Sequence, residues 1–138
     1  MLMSGKKALF AYLLLIQLSS VALAENVDLT GTWESKYSFG PIEQVTTAYI
    51  QQVKDNLLGS YTVKPFTGPE ESGILFGTVD GDVVKVNFLS VAGSGANPKV
   101  TITLVDVRIT DQNTLKGSYY YTNNENTAIS GSFEATRK

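Results

Sequence analysis

The chain has 138 residues, 11 of them basic and 13 acidic, and it contains no His and no Cys. Without His or Cys there is no Ser-His-Asp triad, no thiol nucleophile and neither of the usual zinc ligands. A net charge of −2 with no basic stripe argues against nucleic acid as a partner, and no cofactor is implied.

Lys6 and Lys7 precede an unbroken apolar run, Ala8 to Ile16, and Ala22-Leu23-Ala24 is a small-x-small site. These are the three parts of a secretory signal peptide, so residues 1–24 are expected to be removed. With Gln17, Ser19 and Ser20 inside it, the stretch to Ala24 falls short of the roughly 20 apolar residues of a membrane span. No stable span is expected after cleavage. The reading is a secreted or periplasmic protein with one domain, residues 25–138. Losing Lys6 and Lys7 leaves 9 basic residues against 13 acidic ones, a net charge of −4. With no Cys there is neither a lipobox Cys nor a disulfide, so the core must rest on strand pairing and packing.

After a polar lead-in, Glu25 to Asp28, strict alternation begins at Thr30. Gly31, Trp33, Ser35, Tyr37 and Phe39 share one face, which predicts a half-buried first strand with Trp33 and Tyr37 inward. Gly40-Pro41 ends it. The second strand is expected over Gln44 to Val53, with Ala48, Ile50 and Gln52 preferred as the inward set over Val45, Thr47, Tyr49 and Val53. Lys54-Asp55-Asn56 turns the chain into a third strand with Leu57, Gly59, Tyr61 and Val63 inward. Lys64 to Gly73 is a longer connection carrying Pro65, Gly68 and Pro69. The fourth strand, Ile74 to Val79, and the fifth, Val83 to Leu89, are joined by Asp80-Gly81-Asp82, a strong hairpin signal. Ser90 to Lys99 is a second long loop.

In the sixth strand the apolar set shifts from Val100, Ile102 and Leu104 to Val105, Val107 and Ile109. That change of phase predicts a β-bulge near Leu104-Val105. Asp111-Gln112-Asn113 turns into the seventh strand, with Leu115, Gly117, Tyr119 and Tyr121 on one face. After Thr122 to Asn126 the eighth carries Ile129, Gly131, Phe133 and Ala135. Thr30, Thr32, Ser60, Thr62, Thr78, Thr101, Thr103, Ser118, Ser130 and Ser132 are expected on the outer face, which suits a solvated wall or a docking face.

Five of these strands repeat one unit: an aliphatic residue, any residue, Gly, Ser or Thr, then an aromatic or Val. The units are Leu29 to Trp33, Leu57 to Tyr61, Leu75 to Val79, Leu115 to Tyr119 and Ile129 to Phe133. A Gly inside a strand marks a bend or a close approach of backbones, as at a barrel corner. Eight strands with short connections and no helical pattern predict an all-β, eight-stranded antiparallel up-and-down (meander) barrel. A two-sheet sandwich is the structural alternative. The tight turns follow strands 2, 4 and 6, so the longer connections gather at the other end, the expected mouth.

Gly31-Thr32-Trp33 on the first strand of such a meander resembles the calycin group, the lipocalins and avidins, where Gly-x-Trp packs near the closed end. Leu57-Leu58-Gly59-Ser60-Tyr61 resembles the third-strand Leu-x-Gly-x-Tyr of avidin-type barrels. With Ile50 and Gln52, the chain is also similar to small secreted lipocalin-like proteins of unassigned function. There are departures. An avidin-like biotin site is walled by several tryptophans, and Trp33 stands alone here; Val63 occupies the place of a polar residue. The lipocalin Thr-Asp-Tyr has no clear counterpart, and Arg108 is the one residue weighed as a cation closing the barrel base.

Glu70-Glu71 reads as a solvated loop, and Asp80 with Asp82 as turn chemistry rather than a Ca²⁺ site, so the chain is not read as an enzyme. The inward aromatics near the mouth, Tyr37, Phe39, Tyr61, Phe88, Tyr119 and Tyr121, are the candidate ligand-binding residues. Apolar walls with a few placed hydroxyls suit a small, mostly apolar ligand at the open end; filling of a narrow barrel by its own side chains is the competing account. The alternative function is a protein-binding or inhibitor module acting through its loops, and a homo-oligomer is a further partner weighed. The mature N-terminus is expected at Glu25. Intact-mass measurement of protein recovered outside the cytoplasm checks this, and a soluble product retaining Met1 would refute it.

Overall fold

The structure is a computed structural model that describes residues 26–39, 42–93, 95–123 and 128–138. The signal-peptide reading, the Gly40-Pro41 turn and most of the Thr122 to Asn126 turn lie outside those residues. Eight strands follow in order: β1 (Gly31–Phe39), β2 (Ile42–Val53), β3 (Asn56–Pro65), β4 (Glu71–Asp80), β5 (Val83–Ala92), β6 (Lys99–Asp111), β7 (Thr114–Asn123) and β8 (Ala128–Arg137). Each pairs antiparallel with the next and β8 returns to β1, so the sheet is a closed up-and-down barrel. Closure rules out the sandwich and removes every free edge. Among the described residues there is no helix, and so none long enough to cross a membrane.

Alternation predicts most of the interior correctly. In β1, Trp33 and Ser35 are buried; in β2, Ala48 and Ile50 are buried while Tyr49 and Val53 are exposed. The register explains that choice. Trp33 lies opposite Ala48, and a small neighbour leaves room for the indole. The strands run further than expected, which shrinks the two longer connections to residues 66–70 and 93–98. Gly81 takes φ +60° in the β4–β5 hairpin, the left-handed conformation that Asp-Gly turns use.

β6 departs from the expectation. There is no bulge at Leu104-Val105: the register is continuous from Thr101 to Arg108 against β5 and to Ile109 against β7, and the irregularity falls between Ile109 and Asp111. Two continuous ladders leave no freedom to change phase in mid-strand. Val105 and Val107 are therefore buried, Ile102 and Leu104 face outward, and Thr101 and Thr103 face the interior instead of the outer wall.

The tight-turn end is plugged. The Trp33 indole N–H donates to the Leu29 carbonyl at 2.9 Å, and Leu29 itself is wholly buried. Gln52 accepts from the Leu29 N–H and donates to the Lys54 carbonyl, both at 2.9 Å. The Arg137 guanidinium lies 4.5 Å from the Trp33 ring centre and donates to the carbonyls of Asp28 and Thr30 at 2.7 Å. Arg137 thus closes the base, and Arg108 does not. Arg108 instead pairs with Asp82 at 3.0 Å in solvent, between two largely exposed side chains.

The strand glycines serve two purposes. A Cβ at Gly59, Gly77 or Gly117 would run into the carbonyl of Tyr49, Lys85 or Asp106 on the adjacent strand. There the glycine permits close approach of backbone to backbone. At Gly73 a Cβ would meet both the Leu89 carbonyl on β5 and the Tyr61 ring, and at Gly131 it would meet the Tyr119 ring alone. Close approach of backbones, the role expected from sequence, thus accounts for Gly59, Gly77 and Gly117, whereas Gly131 makes room for a ring. Gly117→Val should therefore cost at least about 1–3 kcal/mol. Ser118→Val, one residue on and facing outward, should stay within about 0.5 kcal/mol. Urea unfolding of both variants checks this, and a larger loss for Ser118→Val would mean that the faces are reversed.

Candidate functional site

The described side chains do not fill the mouth half of the barrel. A cavity of about 150 Å³ opens there, reached by the ends of β1, β3, β5 and β7 and the beginnings of β2, β4, β6 and β8. Of the residues predicted from sequence, Tyr37, Tyr61, Phe88, Tyr119 and Tyr121 line it. Phe39 ends β1, but its side chain lies outside the described residues. Below the cavity the interior is closed by Trp33, Leu57, Val84 and Val107.

Aromatic side chains form two opposed walls. On the β7–β8–β1 side, Tyr37 stands 5.4 Å from Tyr119 and 6.5 Å from Phe133. On the β3–β5 side, Tyr61 meets Phe88 edge to face at 4.9 Å. Glycines on neighbouring strands seat two of these rings. Tyr61 pairs directly with Gly73, and Tyr119 with Gly131, and each ring covers the space that a Cβ would take.

Polar groups fill the intervals between the walls: Gln44 and Thr46 on β2, Glu71 on β4, Ser90 on β5, Thr101 and Thr103 on β6. Sequence reading missed all of these. Glu71 could have been found by extending the inward phase of Gly73, Leu75, Gly77 and Val79 back by one step, since its partner is the inward Val63. Thr101 and Thr103 were hidden by the apolar Ile102 and Leu104 between them, which made the wrong phase look like the core.

Thr46 donates to the Tyr37 phenol oxygen at 3.4 Å, a long contact. Beneath it lies a small void of about 30 Å³, shared by Ser35, Thr46 and Phe88. Ser35 is 3% exposed, and its hydroxyl has no hydrogen-bond partner among the described residues. The two carboxylate pairs weighed from sequence separate. Asp82 serves Arg108 at the far end, and Glu71 faces the cavity. Among the described residues no three His, Cys, Asp or Glu side chains converge.

Burial pushes the Tyr37 phenol above its ordinary value of 10.0, against the Thr46 hydrogen bond, with Glu71 adding to the rise. Tyr61 is raised likewise, first by burial, against a hydrogen bond with Ser90, with the Glu71 charge again adding. No family model matches the chain, and no curated protein matches it. Its functional reading therefore stands on this geometry.

Both tyrosines hold their protons more tightly in the folded barrel than in the unfolded chain. Their contribution to stability is complete below the unfolded value near pH 10 and is lost as pH rises through the higher folded values. Spectrophotometric titration should show part of the tyrosine signal ionising late, and melting temperature should fall over the same window. Tyr37→Phe should remove part of the late phase. Uniform titration of all tyrosines at the ordinary value would contradict this assignment.

Proposed function

We propose that this chain is an exported, lipocalin-like barrel that binds a small, mostly apolar ligand at its open end without transforming it. The observation that carries this reading is the unfilled cavity between two aromatic walls. Its volume of about 150 Å³ is below the roughly 300–1,000 Å³ of sites for drug-sized ligands. It matches the scale of an engineered apolar cavity of about 150 Å³ that holds benzene. The ligand is thus a single ring or a short chain, with any larger part projecting from the mouth. The resemblance to calycins supports the same reading, since both Gly-Thr-Trp and Leu-x-Gly-x-Tyr lie where such a barrel needs them.

A protein partner is the second reading, and the outer wall favours it more than the loops do. Leu58 lies opposite Phe76, and Leu104 opposite Tyr120. Asn87 bridges them between Phe76 and Leu104. A parallel row runs through Ile74, Leu89 and Ile102. Leu58, Phe76, Ile74, Ile102, Leu104 and Tyr120 are all exposed. Contiguous apolar area of this kind marks contact surfaces. The described loop residues carry one exposed large aromatic, Phe66. Lys85 and Asp106 pair across β5 and β6 beside the rows and are both exposed. Opposite charges side by side suit a two-fold contact with a second copy.

Titration with benzyl alcohol, followed by backbone amide shifts, tests the first reading. Saturable shifts around Tyr37, Tyr61, Phe88 and Tyr119 are expected. Thr103→Phe, which fills the cavity, should weaken binding at least tenfold. No saturable shift at these residues, together with a dimer in light scattering that Phe76→Glu breaks, would replace it by the second.

A further inference from the structure

The cavity has a charge character that its aromatic walls do not reveal on their own. Among the described residues its lining includes one carboxylate, Glu71, and neither Lys nor Arg. Lys36, Lys64 and Lys99, on the strand ends nearest the mouth, are exposed and do not line it. A ligand carrying a carboxylate or phosphate would surrender its hydration there and meet a like charge. The other polar groups in the lining are neutral: the amide of Gln44, the hydroxyls of Thr46, Ser90, Thr101 and Thr103, and the phenols of the lining tyrosines, which donate as well as accept. The sign of charge therefore rests on Glu71 and the rings. Hydroxyl and amide oxygens accept hydrogen bonds from an N–H donor.

The walls favour a cation independently of Glu71. Ring faces are negative, and a cation within about 6 Å of a ring centre gains roughly 0.5–2 kcal/mol, most when desolvated. Tyr37 and Tyr119 approach at 5.4 Å on one side, and Tyr61 and Phe88 at 4.9 Å on the other. An ammonium group in the cavity that lies over the face of one of these lining rings would gain that attraction, with the Glu71 carboxylate also in the lining. Burial raises the Tyr37 and Tyr61 phenols most, and the Glu71 charge adds a smaller rise of the same sign, in keeping with a site that favours positive charge.

We propose that the cavity takes an organic ammonium ion, its apolar body between the two aromatic walls and its charge beside Glu71. This deepens the ligand-binding reading and rests on it. The two attractions differ in kind. Glu71 is exposed, so its share is modest and screened by salt. Tyr61, Phe88 and Tyr119 are buried and Tyr37 is half-buried, so the share of the rings persists better in salt.

Four compounds of one shape separate the outcomes: benzyltrimethylammonium, benzylamine, benzyl alcohol and benzoate, titrated calorimetrically and by amide shifts. Both cations should bind roughly tenfold more tightly than benzyl alcohol, and benzoate most weakly. Glu71→Gln should reduce the preference for the cations several-fold. Glu70→Gln, the same change of net charge on a residue outside the cavity lining, should leave it intact. Raising salt should mimic Glu71→Gln only in part. If benzyl alcohol or benzoate binds as tightly as the cations, or if Glu70→Gln acts like Glu71→Gln, the ammonium assignment falls while the cavity remains a ligand site. If none of the four perturbs the cavity residues, the ligand-binding reading falls with it.

Discussion

Everything in this barrel depends on closing the sheet between its first and last strands. The β1–β8 ladder runs from Trp33 opposite Arg137 to Ser35 opposite Ala135, whereas β1 pairs with β2 along its whole length. The short seam is reinforced from below. Arg137 lies over Trp33 while bonding the carbonyls of Asp28 and Thr30, so one side chain ties the last strand to the segment that precedes the first. Leu29 fills the space under the indole and is held by Gln52 from β2. The buried member of this set is the Trp33 indole bond to the Leu29 carbonyl, and a carbonyl buried without its partner is costly. The plug is therefore a concentrated source of stability at the closed end.

Above Ser35 the seam passes from backbone to side chains. Tyr37 and Phe133 continue it as rings 6.5 Å apart, joined by Tyr119. The closed and open ends thus solve different problems with the same residue class. At the base an aromatic ring is packed, hydrogen-bonded and covered by a cation. At the mouth several rings line a space that they do not fill. Glycine opposite tyrosine contributes to this, because the Tyr61 and Tyr119 rings lie close against Gly73 and Gly131, in space that a Cβ there would contest. Rings held against the wall leave the centre open.

The space is lined by polar as well as aromatic groups. Hydroxyls from β2, β5 and β6 and the carboxylate of β4 stand between two aromatic walls. A few placed polar groups among apolar ones orient a ligand without dominating its affinity. The outer wall from β3 to β7 carries a second apolar surface, separated from the cavity by the thickness of the sheet. Alternation along each strand allows the two surfaces to coexist, since every second residue belongs to the other side.

Much of this was legible in the order of residues. Alternation around Trp33, Leu57, Leu75, Leu115 and Phe133 determined strand faces, because a side-chain period of two leaves only two choices per strand. Short turns at Lys54-Asp55, Gly81-Asp82 and Gln112-Asn113 determined the meander, and the aromatic positions at the strand ends pointed to the mouth. Three things were decided only in three dimensions. The phase of β6 was set by its ladders to β5 and β7, which overrode the local pull of Ile102 and Leu104 and turned Thr101 and Thr103 inward. The choice of Arg137 over Arg108 came from barrel closure, which brings residues 28, 33 and 137 together from opposite ends of the chain. The place of Glu71 in the cavity followed from the length of β4, which a loop-like Pro-Glu-Glu had concealed. In each case the deciding contact lies across strands, where local pattern carries no information about the partner.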